Sequence, residues 1–101
     1  MSEEKKQDQT EHPPISVYDL IFFSIDQFAS VAWQKMGLQP DPMSGKIVKD
    51  LEQAKKAIDI VENFIKDMDE KLNEDDKRKL NALISDLKLN YIRQAQTKGD
   101  T

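Results

Sequence analysis

The sequence predicts an all-α fold: a three-helix, bundle-like domain with a long apolar first helix, completed by homodimerisation. Three observations carry that reading. Residues 16–36 spread apolar side chains over an arc of ~220° around a helix, where one packed face usually needs ~100°. Residues 51–72 repeat apolar positions in alternating steps of three and four. Each helical stretch begins at a residue type that caps helices, and no segment alternates with period two over a useful length.

The elements follow in order. Residues 1–14 are charged and polar, closed by Pro13 and Pro14, and read as a mobile tail. Ser16 is a natural N-cap, with Asp19 placed as the reciprocal acid of a capping box. The first helix is expected over 17–36 and stopped by Gly37 in a left-handed conformation. Its wide arc comprises Val17, Leu20, Ile21, Phe22, Ile25, Phe28, Ala29, Val31, Ala32, Trp33 and Met36. The connection 38–49 holds Asp41 before Pro42, the opening of a type I turn, and Gly45 as a flexible exit. Asp50 caps the second helix, expected over 51–72, with Gln53 at the reciprocal position. Leu51, Ala54, Ile58, Val61, Ile65, Met68 and Leu72 form its a/d seam, widened by Ala57 and Phe64. Asn73 caps the third helix, expected over 74–95, with Glu74, Asp75 and Asp76 at its positive end. Leu80, Ile84, Leu87 and Tyr91 make its core stripe with Leu83 beside them, while Leu89 and Ile92 fall on another face. Residues 97–101 read as a second polar tail, so the ordered domain is expected over 15–96.

Composition narrows the function. The chain of 101 residues is 34% charged, with a net charge of −4; ordinary soluble domains carry about 25% charged residues. Non-specific attraction to nucleic acid or to anionic lipid is disfavoured by that sign. There is no cysteine, which removes disulfides and thiolate metal sites and leans towards the cytoplasm. Residues 1–11 lack the apolar stretch of a secretory signal, and no apolar run reaches the ~20 residues of a spanning helix.

Individual residues give no chemistry. His12, the only histidine, lies in the polar tail beside Glu11, far short of the converging ligands a metal requires. Asp26 shares the polar strip of the first helix with Asp19, Ser30 and Gln34, as a solvated carboxylate would. Gly45-Lys46 resembles the end of a phosphate loop, but Pro40 and Ile47 stand where that pattern needs a glycine and a hydroxyl. The acids at 74–76 are explained by the helix dipole rather than by calcium, since the cluster lacks the alternating ligands and central glycine of a calcium loop. Lys77, Arg78, Lys79, Lys88 and Arg93 are interrupted by acids and have no aromatic platform for bases. No metal, cofactor or catalytic residue is expected, and the chain is expected not to be an enzyme.

Several strings line up in order: Pro14-Ile15-Ser16, Met36-Gly37, Pro40-Asp41-Pro42 with Ser44-Gly45, Leu51-Glu52-Gln53-Ala54-Lys55 followed by Ile58-Asp59, and Asp86-Leu87-Lys88 ahead of Tyr91. Together they resemble a bacterial family of unknown function, domain-of-unknown-function family 1844, with the Pro-Asp-Pro loop as the most specific part. The family pattern has Lys-Thr-Lys-Gly-Asn-Leu where this chain reads Asp67-Met68-Asp69-Glu70-Lys71-Leu72. The missing glycine is why the second helix is expected to run long. The family reads Asp-Leu-Arg where this chain has Asp86-Leu87-Lys88. The resemblance implies a small, cytoplasmic, all-helical bacterial protein and brings no catalytic residues.

The functional expectation is a self-associating interaction or scaffold module, a homodimer centred on the first helix, with an unidentified protein partner as the alternative user of the same apolar surplus. Phe22, Phe23, Ile25, Ala29, Trp33 and Met36 are its candidate interface residues, because aromatic anchors commonly dominate interface energy. Two rivals weigh less. Peripheral membrane binding by the first helix would call for basic residues along its polar face, which carries Asp19 and Asp26 instead. An enzyme would need a site that the sequence does not show.

Overall fold

The computed structural model describes residues 14–100, with side chains to Thr97. The expected tail up to Pro13, His12 included, and Thr101 lie outside the described residues. Three α-helices follow one another: α1 (Val17–Lys35), α2 (Leu51–Asp67) and α3 (Glu74–Asp100), with a 3-10 turn (Asp69–Lys71) between the last two. Among the described residues there is no strand, so the fold is all-α.

Ser16 sits in an extended conformation and its hydroxyl accepts the Tyr18 N–H at 3.0 Å, starting α1. A Schellman motif ends the helix. The Leu38 N–H donates to the Trp33 carbonyl at 3.1 Å and the Gly37 N–H to the Gln34 carbonyl at 3.0 Å. That motif needs a positive φ at Gly37, which is +84°, a value that costs a residue bearing a Cβ.

Asp50 caps α2 through its carboxylate, which accepts the Gln53 N–H at 3.1 Å. The expected reciprocal bond takes another route. The Asp50 N–H already donates to the Lys35 carbonyl at 2.7 Å, closing the connecting loop, so the Gln53 side chain donates to the Asp50 carboxylate instead, at 3.0 Å.

The second helix stops earlier than expected, at Asp67 rather than Leu72. The Met68 N–H is shared between the Phe64 and Ile65 carbonyls, and the chain tightens into the 3-10 turn. Leu72 then leaves in an extended conformation. The physical reason is the next cap: the Asn73 side chain accepts the Asp76 N–H at 2.7 Å, and a chain about to begin a capped helix has to come out of the helical region first. The ring of Tyr18 lies under the Lys71 ammonium, 4.8 Å from its centroid, which ties this turn to the start of α1. At the other end α3 continues to Asp100, beyond the expected fade near Gln96.

The core forms around α2. Its seam residues Leu51, Ala54, Ile58, Val61 and Ile65 are buried, as are Met68 and Leu72 beyond the helix end and Ala57 on the flank. From one side α1 inserts Ile25, Ala29, Ala32 and Met36, and Phe28 meets Phe64 edge to face at 6.0 Å between ring centroids. From the other side α3 inserts Leu87, with Leu80, Leu83, Ile84 and Tyr91 half-buried against the same cluster. α1 and α3 pack on α2 and touch each other only slightly. Lys88 of α3 pairs with Glu62 of α2 at 2.7 Å along their seam.

Candidate interaction surface

The wide apolar arc of α1 divides in two. Ile25, Ala29 and Met36, expected at an interface, belong to the intramolecular core instead. Their angular positions point them at the α2 seam, and a buried side chain of the folded chain has no surface to offer a partner. Trp33 is half-buried and packs against that core, together with Ile21 and Phe28. Phe22 lies at the margin of the core face, and Phe23 stands well out of it with 64% of its surface exposed.

Outside this core face lies a second stripe that the expected residue set contains only through Phe23. Leu20, Phe23, Ser24, Gln27, Val31 and Gln34 follow one another at helical spacing and fall on one side of α1. Leu20 is 52% exposed, and Val31, Gln27 and Phe23 are exposed as well. None of these six side chains is ionisable. All the charge of α1 is carried by Asp19 and Asp26 on a neighbouring strip and by Lys35 in the last turn. The uncharged stripe runs ~20 Å along the helix at 1.5 Å per residue. It could have been found from the sequence by asking where charge is missing rather than where apolar residues are frequent.

A shallow groove adjoins this stripe where α1 meets α2. Phe28, Val31, Ala57 and Ile60 line it, with Gln53 and Lys56 at the rim. A larger depression of about 290 Å³ lies between α2 and α3, floored by Ile58, Tyr91 and Ile92. Its rim charges are matched: Lys55 with Asp59 at 3.2 Å and Lys88 with Glu62 at 2.7 Å. Ion pairs of this kind neutralise one another and leave no converging set of unmatched polar groups to orient a small molecule.

The remaining sequence candidates are surface features. Asp26 is exposed. Asp75 pairs with Arg78 at 2.9 Å and with Lys79 at 3.3 Å within the first turns of α3, and Lys77 lies 3.8 Å from Asp69 of the 3-10 turn, so the basic run is matched by nearby acids. Among the described residues no group of three or more His, Cys, Asp or Glu side chains converges as a metal would require.

Among the described residues the one clear electrostatic perturbation lies in the loop between α1 and α2. The Asp41 carboxylate accepts the Ser44 N–H at 2.8 Å and the Met43 N–H at 3.1 Å. The Ser44 N–H bond holds the Asp41 carboxyl below its ordinary value, against the opposing effect of partial desolvation. The Ser44 hydroxyl, the Met43 N–H and the nearby Lys35 add in the same downward direction.

No helix among the described residues is long and apolar enough to cross a membrane. Residues 19–93 match the family described as Domain of unknown function (DUF1844), and the chain belongs to that family. No curated protein and no solved structure matches the chain.

Proposed function

We propose that this DUF1844 protein is a non-catalytic, cytoplasmic interaction module that self-associates through the uncharged stripe of α1, forming a homodimer on which further partners assemble. The observation that carries the reading is the stripe itself. In a chain that is 34% charged, a helix face of exposed Leu20, Phe23, Gln27 and Val31 with half-buried Ser24 and Gln34, without a single ionisable side chain, departs from ordinary surface composition. Protein interfaces have this signature: charge is depleted at their centre and aromatic residues are enriched.

A second copy suits the stripe better than a charged partner does. Two molecules each bearing a net charge of −4 repel wherever their acids face one another. The uncharged stripe is where that repulsion is weakest, and a two-fold axis lets one patch cover its own counterpart. Leu20 and Phe23 then bury against the partner, with Ser24 and Gln27 supplying hydrogen bonds across the seam.

Sedimentation velocity over a concentration series tests the proposal. The wild-type chain is expected to sediment as a dimer at micromolar concentration, and Phe23→Glu and Leu20→Glu as monomers of unchanged helicity. A wild-type monomer throughout the series, or dimers that survive both substitutions, would overturn it.

A further inference from the structure

The connection between α1 and α2 is closed on itself. The 2.7 Å bond from the Asp50 N–H to the Lys35 carbonyl ties its ends together, making a compact Ω-shaped loop. Beside its polar residues it holds large apolar side chains out in water. Met43 at the tip is 92% exposed and Ile47 60%, and Leu38 and Val48 are exposed beside them.

The backbone of the tip has an equally unusual feature. From Pro40 to Lys46 every backbone N–H is either absent or already bonded within the loop. Pro40 and Pro42 have none. The Asp41 N–H donates to the Lys46 carbonyl at 2.8 Å, and the Gly45 N–H to the Asp41 carbonyl at 2.7 Å. The Met43 and Ser44 N–H groups donate to the Asp41 carboxylate, and the Lys46 N–H to the Ser44 hydroxyl at 3.2 Å. A loop that stays in water gains little from this, because water satisfies its donors. A tip that meets a lipid surface gains from it, because an unbonded N–H carried out of water is costly, while the free carbonyls of Pro42, Met43, Ser44 and Gly45 and the free Ile47 N–H keep the backbone itself at the hydrated headgroup level. The same bonds fix the loop before it meets anything, so little order remains to be imposed on docking.

We infer that this loop is a membrane-surface anchor, in which Met43 and Ile47 enter the interfacial layer of a lipid bilayer while Lys46 and Lys49 face its headgroup phosphates. Size favours lipid over protein. A stable protein interface covers about 800 Å² on each partner, more than a seven-residue tip presents, whereas a bilayer accepts single apolar side chains. Charge favours it locally. The acidic balance of the whole chain counts against a lipid surface for α1, but residues 35–50 hold three lysines, Lys35, Lys46 and Lys49, against Asp41 and Asp50. Both of these carboxylates are turned into the backbone, one in the loop and one in the α2 cap. Basic residues beside inserted apolar ones add attraction to an anionic leaflet.

Co-sedimentation of the full chain with phosphatidylcholine vesicles, with and without an equal part of phosphatidylglycerol, tests the inference. The wild type is expected to bind the mixed vesicles more tightly than the neutral ones. Met43→Asp and Ile47→Asp should each weaken binding about tenfold or more, as loss of one buried apolar side chain does, with circular dichroism unchanged because neither is part of the core. Lys46→Glu with Lys49→Glu should remove only the preference for the anionic vesicles. Failure of the wild type to sediment with either vesicle overturns the inference. So does wild-type binding by Met43→Asp, or loss of binding on Phe23→Glu alone, which would place the contact on α1.

Discussion

Replacing Leu87 by Ala is the sharpest test of how α3 is held. Among the described side chains of α3 it alone is buried, with 0% of its surface exposed. The substitution removes three carbons, and at ~0.8 kcal/mol each the lost transfer energy is ~2.4 kcal/mol before any cavity forms. A rigid surrounding would add enough to reach ~5 kcal/mol. Here the neighbours Leu83, Ile84 and Tyr91 are only half-buried and can move into the gap, so the expected cost is ~2–3 kcal/mol, at the low end of the range for such sites. Leu89→Ala, on the exposed face of the same helix, provides the reference and should stay within about 0.5 kcal/mol of wild type. Urea unfolding followed by circular dichroism measures both. Hydrogen exchange adds the location: α3 amides should lose protection more than those of α1, because α3 is docked almost entirely on α2. Equal losses for Leu87→Ala and Leu89→Ala would refute the placement of α3.

Three further outcomes follow from the same structure. Ile58→Ala and Ile65→Ala should each cost ~2–5 kcal/mol in urea melts, while Lys55→Ala and Lys56→Ala, on the wet face of α2, should change little; equal losses would refute the seam. Trp33→Ala should lower the melting temperature of the folded chain and leave self-association intact where the protein remains folded, since Trp33 packs inward and Phe23 outward; selective loss of the dimer with unchanged stability would reverse that assignment. The Asp41 carboxyl is held below its ordinary value of 3.8, so its contribution to loop stability is complete above that value and is lost as pH falls through the lower folded value. An NMR titration should show the Met43 and Ser44 amides shifting together with Asp41 in that acid range, and a midpoint at or above 3.8 would contradict the hydrogen-bond geometry.

The elements readable in the sequence are those decided by near neighbours along the chain. Ser16, Asp50 and Asn73 cap the helices they precede, Gly37 closes α1 with positive φ, and the heptad seam of α2 is buried throughout. Each of these depends on a spacing of a few residues. What the sequence left hidden depends on competition between distant groups. Gln53 could not make its usual capping bond because Lys35 had already taken the Asp50 N–H. Met68 to Leu72 kept the apolar spacing of a helix but left helical geometry to start α3. Ile25, Ala29 and Met36 read as surplus because the arc of α1 was measured against one packed face, and the axis of that face is set by where α2 lies. The closed hydrogen-bond set of the 40–46 tip was hidden for the same reason: the sequence shows a Pro-Asp-Pro turn, not the return of Lys46 to meet Asp41.

Among the described residues nothing covers the uncharged stripe of α1. The core has no use for it, since Ile25, Ala29, Ala32 and Met36 already fill the α2 side. α3 cannot reach it, because its apolar stripe is turned to α2 and it meets α1 only slightly. Helix formation does not demand the absence of charge, because Lys, Glu and Arg favour a helix at least as well as Phe, Val or Ser. Leaving Leu20, Phe23 and Val31 in water with charges only along the edges of their stripe, at Asp19, Asp26 and Lys35, lowers solubility and gains nothing for the folded monomer. In the proposed dimer a second copy would remove that cost, and the stripe would then account for both the residues present on α1 and the charges missing from it.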